Sequence, residues 1–406
     1  MSRCWLVSVT VNLSLKKATV FFKFHFPNIL TLLLLSAVTI GLITILTETS
    51  ESAAPISATE NTSIVEKELL LNSILVPEPD FEAEAEPKSL NEILKNFESL
   101  GPINSVLISQ HGALIEEEYF GRMNSRRANN IKSASKSVLS IIVGIAIDKG
   151  YLEGVDQPIG EFFPDYFEAN PDSDKKLITI GDLLTMRSGL ASTSRAHYGR
   201  WVTSSNWIHY ALDRPLEGEP GTDRTYSTGN THLLSVIITR ATGMSTLEFA
   251  NQYLFHPMNI SIAGWDRDPQ GYYFGGNNLA MYPRDMIKIG SLMMDMGVYN
   301  NQQIVSSGWV VRSVAPVTGR SAGIYNYGYL WFRRSAGSYD MVYAFGNGGQ
   351  YIMMVPELDA VITVTTRNNS GQPTRSYRRE LFRHLDRDVI PMLEMSYSAS
   401  LSQTAR

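Results

Sequence analysis

Residues 133–150 have the sequence SASKSVLSIIVGIAIDKG, which predicts a largely apolar helix that is long enough to be buried at the centre of a domain. Gly150 suits the end of that helix. Ser133 and Lys136 stand near its start at positions i and i+3, so both side chains would lie on one helix face. A serine hydroxyl is a weak nucleophile until a base takes its proton. Burial lowers the pKa of a lysine and lets it serve as that base.

The spacing Ser-x-x-Lys alone is a weak signal, because it also occurs at Ser14/Lys17 and at Ser173/Lys176. The first of these pairs precedes a long apolar segment, and the second lies in the polar run PDSDKK. Ser133 differs from both because it starts a predicted buried helix, directly after two β-rich runs that flank residues 110–112 and predict a hairpin. The position of Ser133, more than its motif, therefore favours it as the nucleophile.

Composition excludes several classes of protein. The 406 residues carry a net charge of −5, which gives no sign of the basic face typical of nucleic-acid binding. Cys4 is the only cysteine, so the chain has no internal disulfide and no cysteine-rich metal site. The seven histidines are scattered without metal-ligand spacing, and each is expected to be a surface or hydrogen-bonded residue. We predict no metal and no cofactor.

The N-terminal region of the sequence predicts that the protein is exported. Residues 24–47 contain no charged side chain, and Ile29–Leu46 is long enough to span a bilayer, although a signal peptide of this length is also possible. Basic residues precede it and acidic residues follow, which predicts a cytoplasmic segment at 1–23 and a domain on the periplasmic side. Residues 48–88 are rich in Glu, Ser, Ala and Pro, which predicts a disordered acidic tether.

Residues 89–390 predict one folded domain of the α+β class, followed by a tail at 391–406. A helix starts at Ser89, and two β-rich runs flank a turn at 110–112. Residues 151–315 read mostly as helices, including 178–189, 230–243 and 283–297. Short β-rich runs follow at 327–332, 339–345, 350–355 and 360–366, and a helix at 376–394 closes the domain. The simplest packing is an antiparallel sheet of the terminal strands, flanked by helices, with a mostly helical lobe and a pocket between them.

Two further segments carry chemically useful residues. Tyr226 lies in RTYSTGN just before a helix, where a tyrosine can act as general acid or base. Asn347, Gly348, Gly349 and Gln350 lie in FGNGGQYIMMV at the start of a strand. Glycines there let a substrate approach the backbone, and a backbone N–H can serve an oxyanion hole.

The order of these three segments resembles the three-motif pattern of the serine β-lactamases and penicillin-binding proteins. It is most similar to the branch that contains class C β-lactamases, 6-aminohexanoate-dimer hydrolases and related esterases. The similar stretches are LLTMRSGL (183–190), YSTGNTHLLSVII (226–238), YGYLWF (327–332) and GNGGQYI (346–352). The resemblance covers roughly residues 89–390 and implies the β-lactamase/transpeptidase-like fold.

The resemblance also implies a role for each residue. Ser133 attacks a carbonyl and forms an acyl-enzyme, while Lys136 and Tyr226 share the proton transfers. The backbone N–H groups of Ser133 and Gln350 form the oxyanion hole, and Thr228, Asn347, Gly348 and Gly349 bind substrate. Tyr198, Trp201 and Trp207, between the first two motifs, are expected either to line the pocket or to belong to the core of the lobe.

Two positions depart from the family pattern. Thr228 stands where the second motif usually has Asn, and Asn347 stands where the third usually has Lys or His. A cation at the latter position helps to grip the carboxylate of penicillins, so its loss disfavours β-lactams and favours a simpler small-molecule amide or ester.

Two alternatives stay open from the sequence. One is a β-lactam-binding or peptidoglycan-peptide-processing protein, such as a weak β-lactamase or a D-alanyl-D-alanine carboxypeptidase-like protein. The other is a non-catalytic binding module of the same fold. An α/β-hydrolase is disfavoured, because the chain has no Gly-x-Ser-x-Gly motif. Nothing in the sequence predicts the oligomeric state.

Overall fold

The computed structural model describes residues 5–13, 16–24, 88–171, 173–317, 326–367 and 375–404. The chain divides into two compact units, residues 1–62 and 63–406. In the first unit, strands β1 (Trp5–Leu13) and β2 (Lys16–Phe24) pair as an antiparallel hairpin with Trp5 opposite Phe24. The sequence analysis did not predict this hairpin, although its Val, Thr and Phe residues have high β propensity.

The predicted membrane segment lies almost wholly outside the described residues, since Phe24 alone of residues 24–47 belongs to them. The predicted tether at 48–88 lies outside as well, apart from Lys88. Within the described ranges, no helix combines the length and the apolar character that a membrane crossing requires. The anchor or signal segment and the location that it implies stay predictions.

The described residues of the second unit form twelve strands, and seven of them build its main sheet. They are β3 (Ile103–Gln110), β4 (Ala113–Tyr119), β5 (Asn129–Asn130), β6 (Ile262–Trp265), β7 (Leu279–Met281), β8 (Val298–Tyr299), β9 (Gln302–Gln303), β10 (Asn326–Tyr327), β11 (Phe332–Ala336), β12 (Tyr339–Gly346), β13 (Gln350–Val355) and β14 (Ala360–Thr366). The sheet has the order β10-β11-β12-β13-β14-β3-β4, and all neighbours are antiparallel. The last strand pairs with the first, with Ile362 opposite Ile108. This confirms the prediction that strands from both ends of the domain form one antiparallel sheet.

Helices pack on both faces of that sheet. The α-helices of the described residues are α1 (Leu90–Ser99), α2 (Ser135–Asp148), α3 (Pro164–Ala169), α4 (Ile180–Leu184), α5 (Tyr198–Val202), α6 (Trp207–Leu212), α7 (Thr228–Thr242), α8 (Thr246–Ala250), α9 (Pro283–Met294), α10 (Ser307–Val314), α11 (Arg375–His384) and α12 (Ile390–Thr404). Side chains alternate between the faces of a strand. Leu107 therefore joins a core with α2 and α9, whereas Ile108 joins a second core with α1, α11 and α12. Because both faces are covered, β3 is buried at every position except the half-buried Asn104, although half of its residues are polar.

The middle of the domain contains most of the helices, together with two small sheets. One has the order β5-β7-β6, and the other is the hairpin of β8 and β9. Helix α9 packs against β3, β13 and β14 of the main sheet, although the sequence analysis had placed it in the helical lobe.

Three segments differ locally from the sequence prediction. Residues 328–331 of the predicted strand 327–332 form a turn, in which Leu330 has a φ of +66°. The turn is apolar because it is buried, not because it is extended. The helix predicted at 178–189 is limited to α4, since Met186 turns away with a φ of +61°. A single π turn, Leu385–Val389, joins α11 to α12, so the predicted boundary at 390 falls inside a continuous helical segment.

Gly144 allows α10 to pack closely on the buried helix α2. An added Cβ at Gly144 would lie 2.4 Å from the side chain of Trp309, which is fully buried. We expect Gly144→Ala to lower the free energy of unfolding by about 1–3 kcal/mol, the range for overpacking, although alanine is the better helix former. The urea denaturation midpoint measures the change.

The matched control is Gly308→Ala, one residue before Trp309. Gly308 is exposed and has no atom within 4 Å of an added Cβ. This variant should keep or raise the midpoint. Equal midpoints for the two variants would contradict the close packing at Gly144.

Candidate active site

Ser133 lies in a single 3-10 turn, Lys132–Ala134, which leads directly into α2. The α-helix therefore begins at Ser135, two residues later than predicted, because Lys132 has a left-handed φ of +52°. The Ser135 hydroxyl donates to the Lys132 carbonyl at 2.7 Å and holds the turn against the helix. Lys136 Nζ donates to Ser133 Oγ at 3.1 Å. The structure therefore brings the two predicted residues into direct contact.

Lys136 is almost completely buried, with 2% of its surface exposed. Its Nζ also donates to the Gly276 carbonyl at 2.5 Å and lies 5.2 Å from the centre of the Tyr226 ring. Burial lowers the pKa of Lys136 below the usual 10.5, and Tyr226 opposes that shift. No carboxylate of the described residues forms an ion pair with Lys136. The surroundings therefore favour the neutral amine, which is the form that can accept a proton.

Gly276 belongs to the candidate site, although the sequence did not indicate it. An added Cβ there would lie 2.2 Å from Thr231 Oγ1 and 3.0 Å from Lys136 Nζ, so only glycine lets the backbone pass this close. The pair Gly275-Gly276, followed by two asparagines, was the available signal of an unusual loop. Nothing in the sequence links that loop to Lys136, which is 140 residues away.

Tyr226 lies in the loop before α7, and a second loop, Ser192–Ser194, holds it in place. Ser192 Oγ donates to the Tyr226 carbonyl at 2.7 Å. Thr193 Oγ1 and Ser194 Oγ each accept a backbone N–H from the first turn of α7 at 2.8 Å. Such N–H groups have no partner within their own helix. This loop of three hydroxyl residues therefore caps α7 and fixes Tyr226 over Lys136. The sequence analysis did not single it out.

Thr228 follows Tyr226 as the first residue of α7 and lines the cavity described below. Its hydroxyl lies 2.9 Å from Ser194 Oγ, so it also takes part in the contact between the two loops. The position that usually holds Asn in the resembled family therefore keeps a polar group, although one that already has a partner.

The predicted third motif forms the turn between β12 and β13. Gly348 and Gly349 have φ values of +91° and +104°, a region that favours glycine. At Gly346, an added Cβ would lie 2.0 Å from the Ile131 carbonyl, so the turn lies directly against the segment that leads to Ser133. The glycines thus shape this turn, which brings the start of β13 beside Ser133.

Gln350 is fully buried, and its side chain serves as an anchor. Its Oε1 accepts from Asn129 Nδ2 at 2.7 Å and from the Thr366 N–H at 3.0 Å, while its Nε2 donates to Thr366 Oγ1 at 2.7 Å. These contacts fix the first residue of β13 to β14 and to the strand before Ser133. The amide side chain of Gln350 therefore has a structural role.

A cavity of about 700 Å³ opens over Ser133. It is lined by Lys132, Ser133, Ser194, Arg195, Tyr198, Arg224, Tyr226, Thr228, Asn277, Asn278, Phe332, Phe345, Asn347 and Arg378. Thr228 and Asn347, two of the residues predicted to bind substrate, thus line the cavity, whereas Gly348 and Gly349 are not part of the lining. Tyr198 lines the cavity and accepts from Asn277 Nδ2 at 2.9 Å.

A buried aromatic cluster surrounds His232 next to the lining of the cavity. Trp201 and Trp207, which the sequence left open between pocket and core, pack here with Phe274. His232 Nε2 lies 2.9 Å from Asp268 Oδ2, and neither side chain has any exposed surface. The pair ties α7 to the loop at 266–278 that carries Gly276. Within the described ranges, no group of three or more His, Cys, Asp or Glu side chains could hold a metal ion.

Comparison with known proteins shows the family to which the chain belongs. The family model described as Beta-lactamase matches residues 104–385. A 6-aminohexanoate-dimer hydrolase from Paenarthrobacter ureafaciens is 25% identical over 221 residues, which are 51% of this chain and 56% of the relative. The chain thus matches little more than half the length of that relative.

Solved structures support the fold. A Bacillus anthracis protein named as a candidate 6-aminohexanoate-dimer hydrolase superposes with a TM-score of 0.63 at 16% identity, covering 80% of this chain and 89% of that one. EstCE1, a hydrolase with promiscuous acyltransferase activity, superposes with a TM-score of 0.60 at 15% identity, covering 73% and 99%. At these identities the likeness concerns the β-lactamase/transpeptidase-like fold.

Asp268 provides a test of how the loop at 266–278 is held. Its carboxylate accepts from the backbone N–H groups of Gln270 and Tyr272 at 2.9 and 2.8 Å and also contacts His232. In Asp268→Asn, an amide NH₂ replaces one of the two accepting oxygens. We expect a loss of about 1–3 kcal/mol in the free energy of unfolding. Labelling of Ser133 by a fluorophosphonate should also slow, since Gly276 would no longer hold Lys136 firmly.

Asp359→Asn is the matched control. Asp359 lies 3.3 Å from His111, but more than a third of each side chain is exposed. Exposed pairs contribute little, so this variant should keep the wild-type stability and labelling rate. If both variants behave alike, the buried pair does not position the loop.

Proposed function

Because the chain belongs to the Beta-lactamase family, we propose that it is a serine hydrolase that cleaves small amides or carboxylic esters through an acyl-enzyme on Ser133. The observation that carries this proposal is the contact of 3.1 Å between Lys136 Nζ and Ser133 Oγ at the base of the cavity. A buried lysine without a carboxylate partner is a suitable base for a serine hydroxyl.

In acylation, the neutral amine of Lys136 accepts the Ser133 proton while Ser133 Oγ forms a bond to the carbonyl carbon of the substrate. The carbonyl oxygen becomes an oxyanion, which the backbone N–H groups of Ser133 and Gln350 stabilise. Collapse of this intermediate breaks the bond to the leaving amine or alcohol. The leaving group takes a proton from the Lys136 ammonium, either directly or through the Tyr226 hydroxyl.

Deacylation reverses these roles. A water molecule attacks the acyl carbon and gives a proton to the neutral amine of Lys136, either directly or through the Tyr226 hydroxyl, which passes its own proton to Lys136. Ser133 Oγ then leaves and regains its proton, and the product is the carboxylic acid. The position of Tyr226 beside Lys136 supports its share in both steps, because its ring centre lies 5.2 Å from Nζ.

Asn347 supports a simple ester or amide as substrate rather than a β-lactam. It lines the cavity with an exposed, uncharged side chain at the position where the family pattern usually has a cation. A neutral amide offers weaker bonds to a carboxylate than an ammonium group would.

Covalent labelling tests the nucleophile. A fluorophosphonate should add one adduct to the wild-type protein and none to Ser133→Ala, as measured by intact mass. Ser173→Ala removes the serine of another Ser-x-x-Lys match, one that lies at the edge of a polar 3-10 turn, and it should label like the wild type. Absence of labelling in the wild type would overturn the proposal.

The same preparation should hydrolyse short-chain p-nitrophenyl esters and scarcely hydrolyse a chromogenic cephalosporin. Efficient cephalosporin turnover would overturn the assignment of simple esters or amides as substrates, although it would leave the acyl-enzyme intact.

The pH dependence tests the role of Lys136. Burial lowers its pKa, and acylation requires the neutral amine. Protonation at low pH should therefore abolish acylation, and the labelling rate should rise with pH to a plateau that begins below the ordinary lysine pKa of about 10.4. Stopped-flow labelling between about pH 5 and pH 10 measures this rise. A rate that falls as the pH increases would exclude Lys136 as the base.

A further inference from the structure

The two-residue strand β5 lies directly before the turn that carries Ser133, and its two asparagines contact different parts of the candidate site. Successive side chains of a strand point to opposite faces. Asn129 Nδ2 donates to Gln350 Oε1 at 2.7 Å, toward the first residue of β13. Asn130 Nδ2 donates to Asn278 Oδ1 at 3.0 Å, in the loop at 266–278. This short strand therefore connects both neighbours of the Ser133 turn.

The Asn130 side chain also supports the left-handed residue before Ser133. Its Oδ1 accepts the Lys132 backbone N–H at 2.9 Å, so Asn130 forms the local turn in which an asparagine bonds the backbone two residues on. Lys132 has a φ of +52°, which is unfavourable for a residue with a Cβ. The hydrogen bond offsets part of this cost at the residue that sets the direction of Ser133.

The other end of the same amide reaches the loop that holds the base. Asn278, which accepts from Asn130 Nδ2, lies two residues after Gly276. The Gly276 carbonyl accepts from Lys136 Nζ at 2.5 Å. One side chain therefore joins the turn that carries the proposed nucleophile to the loop that orients the proposed base.

The orientation of both amides is fixed by groups that can act in only one way. Asp266 Oδ2 accepts from Asn278 Nδ2 at 2.8 Å, and an ionised carboxylate can only accept. The Asn278 oxygen is thereby left to accept from Asn130. At the opposite end, the Lys132 N–H can only donate, so it requires the Asn130 oxygen. Rotation of the Asn130 amide by half a turn would place like groups face to face at both of its contacts.

We propose that Asn130 is a positioning residue that sets the contact between Ser133 Oγ and Lys136 Nζ. It does so by holding the turn at Lys132 against the loop that carries Gly276. Asn130 is not among the described residues that line the cavity, so it acts through its hydrogen-bond partners and does not meet the substrate. A small displacement of a nucleophile from its base lowers the rate strongly. This inference rests on the proposed function of Ser133.

Single-turnover acylation by p-nitrophenyl butyrate, with the protein in excess, tests the proposal. Asn130→Ala removes both hydrogen bonds and should lower the acylation rate at saturation about tenfold to a hundredfold. The half-saturating concentration should change little, because Asn130 does not meet the ester. Asn130→Asp keeps the acceptor for the Lys132 N–H but lacks the donor to Asn278, so it should restore part of the lost rate.

Asn124→Ala is the matched control. Asn124 Oδ1 accepts the Arg126 N–H at 3.0 Å in an exposed turn of the same kind. This variant should be acylated like the wild type. Equal rates for Asn130→Ala and Asn124→Ala would overturn the proposal. A change confined to the half-saturating concentration would do so as well, because it would indicate a role in binding the ester.

The pH profile separates positioning from a general opening of the site. Burial lowers the pKa of Lys136. If Asn130 only positions the two groups, the rate of Asn130→Ala should rise with pH at the same midpoint as in the wild type and reach a lower plateau. Entry of water beside Lys136 would instead move the midpoint toward the ordinary lysine value. That shift would contradict a positioning role.

Hydrogen exchange tests Asn130 without any reaction at Ser133. If the wild type is not acylated on Ser133, the proposed function fails, and exchange then decides whether Asn130 holds the turn. A hydrogen-bonded backbone N–H exchanges slowly. The peptide that spans residues 129–136, followed by mass spectrometry, should exchange faster in Asn130→Ala than in the wild type or in Asn124→Ala. Unchanged exchange would exclude the proposed role.

Discussion

The structure depends on keeping Lys136 buried without a counter-ion. A carboxylate within a few ångströms would favour the ammonium form and would remove the base that the proposed mechanism requires. The described part of the chain places uncharged groups around Nζ instead, namely the Ser133 hydroxyl, the Gly276 carbonyl and the Tyr226 ring. The carbonyl accepts one N–H of the amine and thereby holds Nζ beside Ser133 Oγ. Burial lowers the pKa of Lys136, and the carbonyl orients its amine.

The surroundings of Lys136 require backbone segments to approach their neighbours so closely that no Cβ atom would fit at the point of contact. At Gly276 the loop passes against Thr231 of α7, and at Gly346 the strand passes against the Ile131 carbonyl. Lys132 takes a left-handed conformation between these contacts, which costs roughly 1–2 kcal/mol for a residue with a Cβ. The large apolar cores on the two faces of the sheet supply the stability that tolerates this strain. The contact of Gly346 with the Ile131 carbonyl places the turn at 346–350 beside the segment that leads to Ser133.

The sequence was sufficient for the elements that local pattern determines. The buried helix, the hairpin at 110–112 and the antiparallel sheet follow from periodicity and turn residues, and the order of the three motifs indicated the family. The loop at 328–331 was mistaken for a strand because a buried turn and a buried strand are equally apolar. Gly276 and the Ser192–Ser194 loop were missed for a different reason. Their contacts join segments far apart in the chain, and no local pattern encodes them.

The distribution of Lys and Arg in the site follows from what each side chain can do. In the proposed mechanism Lys136 acts as the neutral amine, and burial lowers its pKa in that direction. Arg224 and Arg378 line the cavity, where each offers a planar set of N–H donors. Exchanging the two types would defeat both purposes, because an arginine behind Ser133 could not accept a proton. A lysine stacked on Tyr327 would also lose the planar pair of donors that Arg224 presents. The choice of cation at each position thus suits the proton transfer proposed for Ser133 and the planar donors that the cavity lining presents.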